Sequence, residues 1–248
     1  MNLKGIKYGL YIATPIYGEN VNAYYMDSMI QLSKELTKGG IPHIKQHIMH
    51  TSLITKARNE CISNFMNNTD LEFFLFVDAD ISFNALDVIK LMNHDKPLIA
   101  GTYPKKHLNW TEIQRCIMFE TPDTSKELLQ KTSEYTIYDK NKKLNDDNLL
   151  EVERVGTGFM MIKRELIKKL AKKYKKLMYK ENDKKGYGLF ESAIIDGEHL
   201  SEDYAFCERT KSVGEKVFVD PAVKLNHHGG NINFYGDYLN HMKYGNKK

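Results

Sequence analysis

The sequence predicts an α/β fold around a mostly parallel sheet, and three observations carry that prediction. Strand-like and helix-like segments alternate through the first hundred residues, the order that crossover helices between parallel strands produce. The run EFFLFV over 72–77 is short and apolar enough to be a strand buried on both faces, and it leads straight into Asp78-Ala79-Asp80. Finally, 248 residues with 42% hydrophobic and 27% charged side chains suffice for one substantial core, in one large domain or two small ones. That composition excludes a disordered chain and a disulfide-stapled mini-protein.

Taken in order, residues 7–14 (KYGLYIAT) alternate and are rich in β-formers, so they read as a strand, broken by Pro15 and Gly18. Residues 22–38 read as a helix closed by Gly39-Gly40. Residues 43–49 alternate again as a second strand, and 54–66 carry apolar residues at helical spacing. After the strand at 72–77, residues 84–92 read as a helix capped by Asn84, and 96–100 as a fourth strand. The second half is less regular. Residues 105–148 have no long period and include the charged stretch DKNKKLNDD over 139–147, which reads as a hairpin with a polar turn or a variable insertion. Strand signals over 152–162 surround Gly156 and Gly158. Residues 164–179 and 202–213 read as helices, the second ended by Gly214. Short strands are expected at 216–219 and 223–226, split by Asp220-Pro221.

No apolar run reaches the ~18 residues needed to span a bilayer, and Met1-Asn2-Leu3-Lys4-Gly5 does not open a signal-peptide core. A cytoplasmic protein is the expectation, in the host cytoplasm if the source is viral. Cys61, Cys116 and Cys207 are odd in number and far apart, so neither a metal knuckle nor a disulfide frame is expected. The net charge of +4 comes from 36 basic and 32 acidic residues, of which 31 are Lys and 5 Arg. Arginine forks are what phosphate and base-edge readers use, so no nucleic-acid partner is expected.

Five features could carry chemistry. Asp78 and Asp80 stand where ligands bind in open α/β sheets, beyond a strand's carboxyl end. Two such carboxylates suit a hard divalent cation with phosphate completing its shell, or a ribose hydroxyl; the bland alternative is a polar turn. His227-His228-Gly229-Gly230 follows the last strand and offers an imidazole to the same cation, or is a polar loop. Ser201-Glu202-Asp203 opens a helix, where acids complement the dipole or one serves as a general base. Gly156-Thr157-Gly158 permits close backbone approach to a ligand, or forms a bulge. Residues 163–180 hold nine basic residues beside an apolar stripe of Leu166, Ile167, Leu170, Tyr174 and Leu177. That helix either packs the stripe or makes it a candidate for peripheral membrane contact.

In order and spacing, several segments together resemble a GT-A glycosyltransferase of the family 2 type, with relatives in large viruses, phages and bacteria. These are Thr14-Pro15-Ile16-Tyr17, SLITKARN (52–59), Asp78-Ala79-Asp80, Gly101-Thr102-Tyr103, VGTGFMMIKREL (155–166) and SEDYAFCERTKSVGEKVFVDPAVKLNHHG (201–229). The resemblance implies a Rossmann-like three-layer α/β/α sandwich in one domain over 1–248. Residues 1–104 would be the nucleotide-binding half and 105–248 the acceptor side, with a variable insertion over 105–150. It implies a nucleotide-sugar donor, a UDP-sugar by family frequency, and a glycan or glycoconjugate hydroxyl as acceptor. Thr14, Pro15, Tyr17 and Glu19 would cradle the base, and Arg58 would reach the base or the diphosphate. Asp78, with Ala79 beside it, would contact the ribose or a metal-bound water, while Asp80 and His227 would hold Mn²⁺ or Mg²⁺. Tyr103, Gly156, Thr157 and Gly158 would line the sugar and acceptor space. Of the helix-opening acids Glu202 and Asp203, the family pattern favours Asp203 as the base, with inversion at the anomeric carbon. The rival readings are a phosphohydrolase of the haloacid dehalogenase type, with Asp78 as nucleophile, and a carbohydrate-binding protein without turnover.

Overall fold

The structure of the protein is a computed structural model that describes residues 5, 7–119, 122, 124–139, 143–181, 183–245. Part of the amino-terminal stretch and residues 140–142 of the charged 139–147 segment lie outside the described residues. The first half runs β1 (Leu10–Pro15), α1 (Ala23–Lys38), β2 (His43–Ile48), α2 (Ile54–Asn68), β3 (Phe73–Val77), β4 (Ile81–Ser82), α3 (Ala85–His94) and β5 (Leu98–Ala100). It continues with α4 (Trp110–Phe119), α5 (Ser125–Thr132), β6 (Ile137–Tyr138), β7 (Leu150–Val152), β8 (Arg154–Val155), β9 (Phe159–Lys163) and α6 (Arg164–Lys173). The chain ends through β10 (Met178–Glu181), β11 (Lys184–Tyr187), β12 (Ala193–Ile195), β13 (Glu198–Leu200), α7 (Glu202–Ser212), β14 (Val217–Val219), β15 (Asn226–His228), β16 (Asn233–Tyr235) and α8 (Tyr238–Gly245).

Seven strands form the central sheet in the order β2-β1-β3-β9-β5-β14-β7. Strands β1, β2, β3, β5 and β14 run in one direction, while β9 and β7 run against it. Period-two alternation divides the side chains between two cores. Leu10, Ile12, Phe73, Leu75 and Val77 face α1 and α3, whereas Tyr11, Ala13, Phe74 and Phe76 face α2, α6 and α7. Helices thus cover both faces, which is why β3 can be apolar at every position. This is the three-layer α/β/α sandwich with a mostly parallel sheet that the GT-A resemblance implies.

The helices start where their caps are. Asn22 accepts from the Tyr24 amide at 2.9 Å to open α1, and Asn84 accepts from Leu86 at 2.9 Å to open α3. Several expectations need correction. The helix expected over 164–179 stops at Lys173, because Met178 onward pairs with β11 in a separate ribbon. Its apolar residues Leu166, Ile167 and Leu170 are buried in the core, and the α6 side chains left exposed are Glu165, Lys168, Lys169, Lys172 and Lys173. The helix therefore turns charge, not an apolar face, to solvent. The strand expected at 223–226 lies instead at β15, in a small antiparallel sheet with β16 and β4. Residues 105–148 hold α4 and α5, which were not anticipated; β6 pairs with β8 across the polar segment as a two-residue ladder.

Candidate active site

The carboxyl ends of β1 and β3, the start of α2, and the segment after β15 enclose a cleft of about 580 Å³. Its wall includes Pro15, Tyr17, Arg58, Asp78, Ala79 and Asp80. The position follows from the topology. β1 and β3 are adjacent and parallel, so the loops leaving them open on the same edge of the sheet. The Asn22 amide donates to the Ala79 carbonyl at 2.9 Å and ties the two loops together.

Arg58 is the electrostatic centre of the site. It is 4% exposed, and its guanidinium stands 5.1 Å from the Phe76 ring centroid. Its Nη2 lies 3.2 and 3.4 Å from the two Asp78 oxygens, and its Nε lies 3.4 Å from Glu202 Oε1. Burial disfavours its charge, but Asp78 and Glu202 outweigh burial and raise its pKa. Its Nη1 is buried without a partner among the described residues. The carboxylate of Asp78 is thus engaged by Arg58. The Asp78 amide donates to the Gly158 carbonyl at 2.9 Å.

Gly158 is required sterically. A Cβ there would stand 2.5 Å from the Tyr103 hydroxyl oxygen and 2.9 Å from Asp78 Oδ2. Its amide donates to the Tyr103 hydroxyl at 2.9 Å. Burial drives the Tyr103 pKa upward, with Asp78 adding to it, so the phenol stays protonated. Gly156 also faces this hydroxyl, whereas Thr157 is 1% exposed with its hydroxyl unpartnered among the described residues.

Asp80 projects from the turn between β3 and β4. Its Oδ1 is 3.5 Å from His227 Nε2, and Lys106 donates to its Oδ2. Burial would raise the carboxyl pKa, but hydrogen bonding and charge from His227 and Lys106 override it and lower the value to about 2. His227 Nδ1 is 2.9 Å from the Pro104 carbonyl. A carbonyl can only accept, so Nδ1 carries the proton and Nε2 is the atom turned to Asp80. Nε2 and Asp80 Oδ1 face each other across 3.5 Å, where either a proton on Nε2 or a cation between them satisfies the pair. This donor set fits Mn²⁺ or Mg²⁺ with Asp80 and His227 as ligands; Mg²⁺-like ions at nucleotide sites take few protein ligands and complete their shell with water and phosphate. Among the described residues no group of three His, Cys, Asp or Glu side chains is gathered for a metal. His228 is a different residue chemically: Nδ1 meets Asn233 Oδ1 and Nε2 meets Ser82 Oγ, both at 2.8 Å, and its ring stacks on Tyr24. Both nitrogens are occupied, so it braces the wall.

Glu202 and Asp203 open α7 and diverge. Glu202 reaches Arg58, while Asp203 Oδ1 accepts from the Ser201 hydroxyl and, at 2.8 Å, from the Tyr204 amide. The charge of Asp203 is felt at both Arg58 and Tyr103. Of the expected residues, Pro15, Tyr17, Arg58, Asp78, Ala79 and Asp80 line the cleft wall; Thr14, Glu19, Tyr103, Gly156, Thr157, Gly158, Glu202, Asp203 and His227 do not. Thr14 is fully buried and its hydroxyl meets Tyr25 at 2.7 Å; Glu19 pairs with His50 at 3.6 Å. The sequence reading passed over Lys106, whose contact with Asp80 spans 26 residues of chain and has no local signal. It also passed over Asn22 as a loop tie, having read it only as part of a helix.

No family model matches the chain, and no curated protein matches it by sequence. Among solved structures the chain is similar to A197 from STIV, at 18% identity and a TM-score of 0.50, covering 89% of this chain and 86% of that one. That similarity is one of fold. Weaker likenesses are to a glycosyltransferase involved in glycosylation of the major capsid of PBCV-1 (TM-score 0.29, 11% identity, 63% of this chain and 61% of that one) and to UDP-glucose pyrophosphorylase complexed with UDP-glucose (TM-score 0.37, 9% identity, 96% and 98%).

Proposed function

We propose that the chain is a metal-dependent glycosyltransferase that moves a sugar from a nucleotide-sugar donor, a UDP-sugar by preference, to a hydroxyl of a glycan or glycoconjugate, with inversion. The observation that carries this reading is the pairing of Asp80, which lines the cleft, with His227 at 3.5 Å. Residues 1–104 supply the nucleotide side and 105–248 the acceptor side.

Pro15 and Tyr17 take the base and Tyr103, Gly156, Thr157 and Gly158 the sugar and acceptor. Arg58 lines the cleft, holds Asp78 and Glu202 in place, and reaches the donor's diphosphate or base. Asp80 and His227 hold the divalent cation, which when bound supplies Lewis-acid stabilisation of the charge that builds on the departing phosphate. Asp203 receives the proton of the acceptor hydroxyl as the new bond forms, because an alcohol is a weak nucleophile near neutral pH. Direct attack opposite the leaving group inverts the anomeric centre.

A thermal-shift screen of nucleotide sugars with Mn²⁺ tests the binding half of this reading, since a ligand that binds only the native state raises the melting temperature. One nucleotide class should stabilise the protein in Mn²⁺ and lose its effect in EDTA. An equal response to every sugar nucleotide, with and without metal, would count against it.

A further inference from the structure

Lys106 lies in the loop after β5, five residues beyond the resemblance's Gly101 and at the start of the half read as the acceptor side. Its ammonium donates to Asp80 Oδ2, while Oδ1 of the same carboxylate faces His227. Both charges are part-exposed, with side chains 35% and 37% accessible, and Asp80 lines the cleft, so the pair is open to competition. The neighbouring Lys105 points elsewhere and pairs with Glu134 at 3.3 Å. One carboxylate therefore meets a lysine ammonium on one oxygen and an imidazole on the other.

We propose that Lys106 is a diphosphate-binding residue that holds Asp80 until the donor arrives, so that cation and nucleotide diphosphate load the site together. This assignment rests on the glycosyltransferase reading above. The physical reason is charge. A divalent cation on Asp80 and His227 would sit within a few ångströms of the Lys106 ammonium, and like charges that close repel strongly in a partly buried site. Without an anion, the cation and Lys106 compete for Asp80. A diphosphate removes the conflict, because its oxygens accept from the ammonium and ligate the cation at the same time. Lys106 then transfers its hydrogen bond from Asp80 to a phosphate oxygen. No covalent change is involved. The result is positive coupling between cation and nucleotide, and by linkage each must strengthen the other to the same degree.

The test is calorimetric titration of wild type, Lys106→Met and Lys106→Arg with Mn²⁺ alone, and with UDP, GDP and dTDP in saturating Mn²⁺. Lys106→Met should bind Mn²⁺ alone about tenfold more tightly than wild type, since it removes a competing unit charge. It should bind the nucleoside diphosphate about 10- to 100-fold more weakly, the cost of one charge-assisted hydrogen bond. Lys106→Arg keeps the charge and should follow wild type in Mn²⁺. Opposite signs for the two ligands separate this role from general damage, which would weaken both. If Lys106→Met leaves both affinities unchanged, or weakens both, the assignment of Lys106 is overturned while the glycosyltransferase reading stands. If no nucleoside diphosphate binds to wild type in Mn²⁺, the reading itself falls and the assignment with it.

Discussion

Asp203 and Asp80 make separable predictions. Asp203 is anchored by the Ser201 hydroxyl and the Tyr204 amide and projects charge toward Tyr103 and Arg58. Asp203→Asn keeps the shape and removes the basicity. Transfer should slow by ~10²–10⁴, with donor and Mn²⁺ affinity close to wild type by calorimetry. A near-normal rate would remove Asp203 from the mechanism. His227 and Lys106, working against burial, hold the Asp80 carboxyl at about 2, below the usual carboxylate range. Because the folded value is the lower, its contribution to stability is full above about pH 4 and is lost as pH falls through about 2. The contribution is at most about 1 kcal/mol, since both Asp80 and Lys106 are part-exposed and screened. In ligand-free protein, melting of Asp80→Asn should fall slightly below wild type at pH 6 and converge with it near pH 2. A gap that stays constant with pH would show that the pair contributes nothing through ionisation.

At the scale of elements, Asp78-Ala79-Asp80 was legible because an apolar strand with no polar break has to end in a turn at the sheet's edge. The pairing of Arg58 with Asp78 and Glu202 was not legible. It depends on α2 and α7 lying on the same face of the sheet, a long-range fact with no local signal. The truncation of α6 was also hidden: the Lys-rich pattern over 164–179 suits a helix throughout, and only pairing of Met178 with Tyr187 breaks it. α4 did have helical spacing in Trp110, Ile113, Cys116 and Ile117, but its exposed apolar residues blur the period. Arg164 shows how elements are joined. Its guanidinium donates to Leu71 O at 2.7 Å, Phe65 O at 3.1 Å and Thr69 Oγ1 at 2.9 Å, and it stacks 4.0 Å over Phe65. It therefore ties the carboxyl end of α2 to the start of α6, bonding the Phe65 carbonyl of the last turn, the Thr69 hydroxyl and the Leu71 carbonyl just beyond the helix. Arg164→Met should cost about 2–4 kcal/mol in urea unfolding, because buried acceptors lose their donors. A change under about 0.5 kcal/mol would show that the tie is dispensable.

Across the whole molecule, the sheet interleaves the two halves of the chain. β9 enters between β3 and β5, and β14 lies beyond β5. The four early strands were readable from alternation and apolar runs. The insertion of an antiparallel strand between two of them was not, since strand order is set by tertiary packing and not by period. This interleaving matters to function. It brings Gly158 at the head of β9 against Asp78 at the end of β3, and places α7 where Glu202 can reach Arg58. Among the described residues no helix is long and apolar enough to cross a membrane. The central claim is that Asp80 and His227 hold a cation that makes a sugar transferable from a nucleoside diphosphate. The most direct measurement is ¹H NMR of wild type and Asp80→Ala incubated with a stabilising nucleotide sugar, with Mn²⁺ or EDTA, following release of the nucleoside diphosphate and the anomeric configuration of the product. The account predicts release by wild type in Mn²⁺ with an inverted product, no release in EDTA, recovery on restoring Mn²⁺, and no release by Asp80→Ala. Equal release in EDTA, or full turnover by Asp80→Ala, would contradict it.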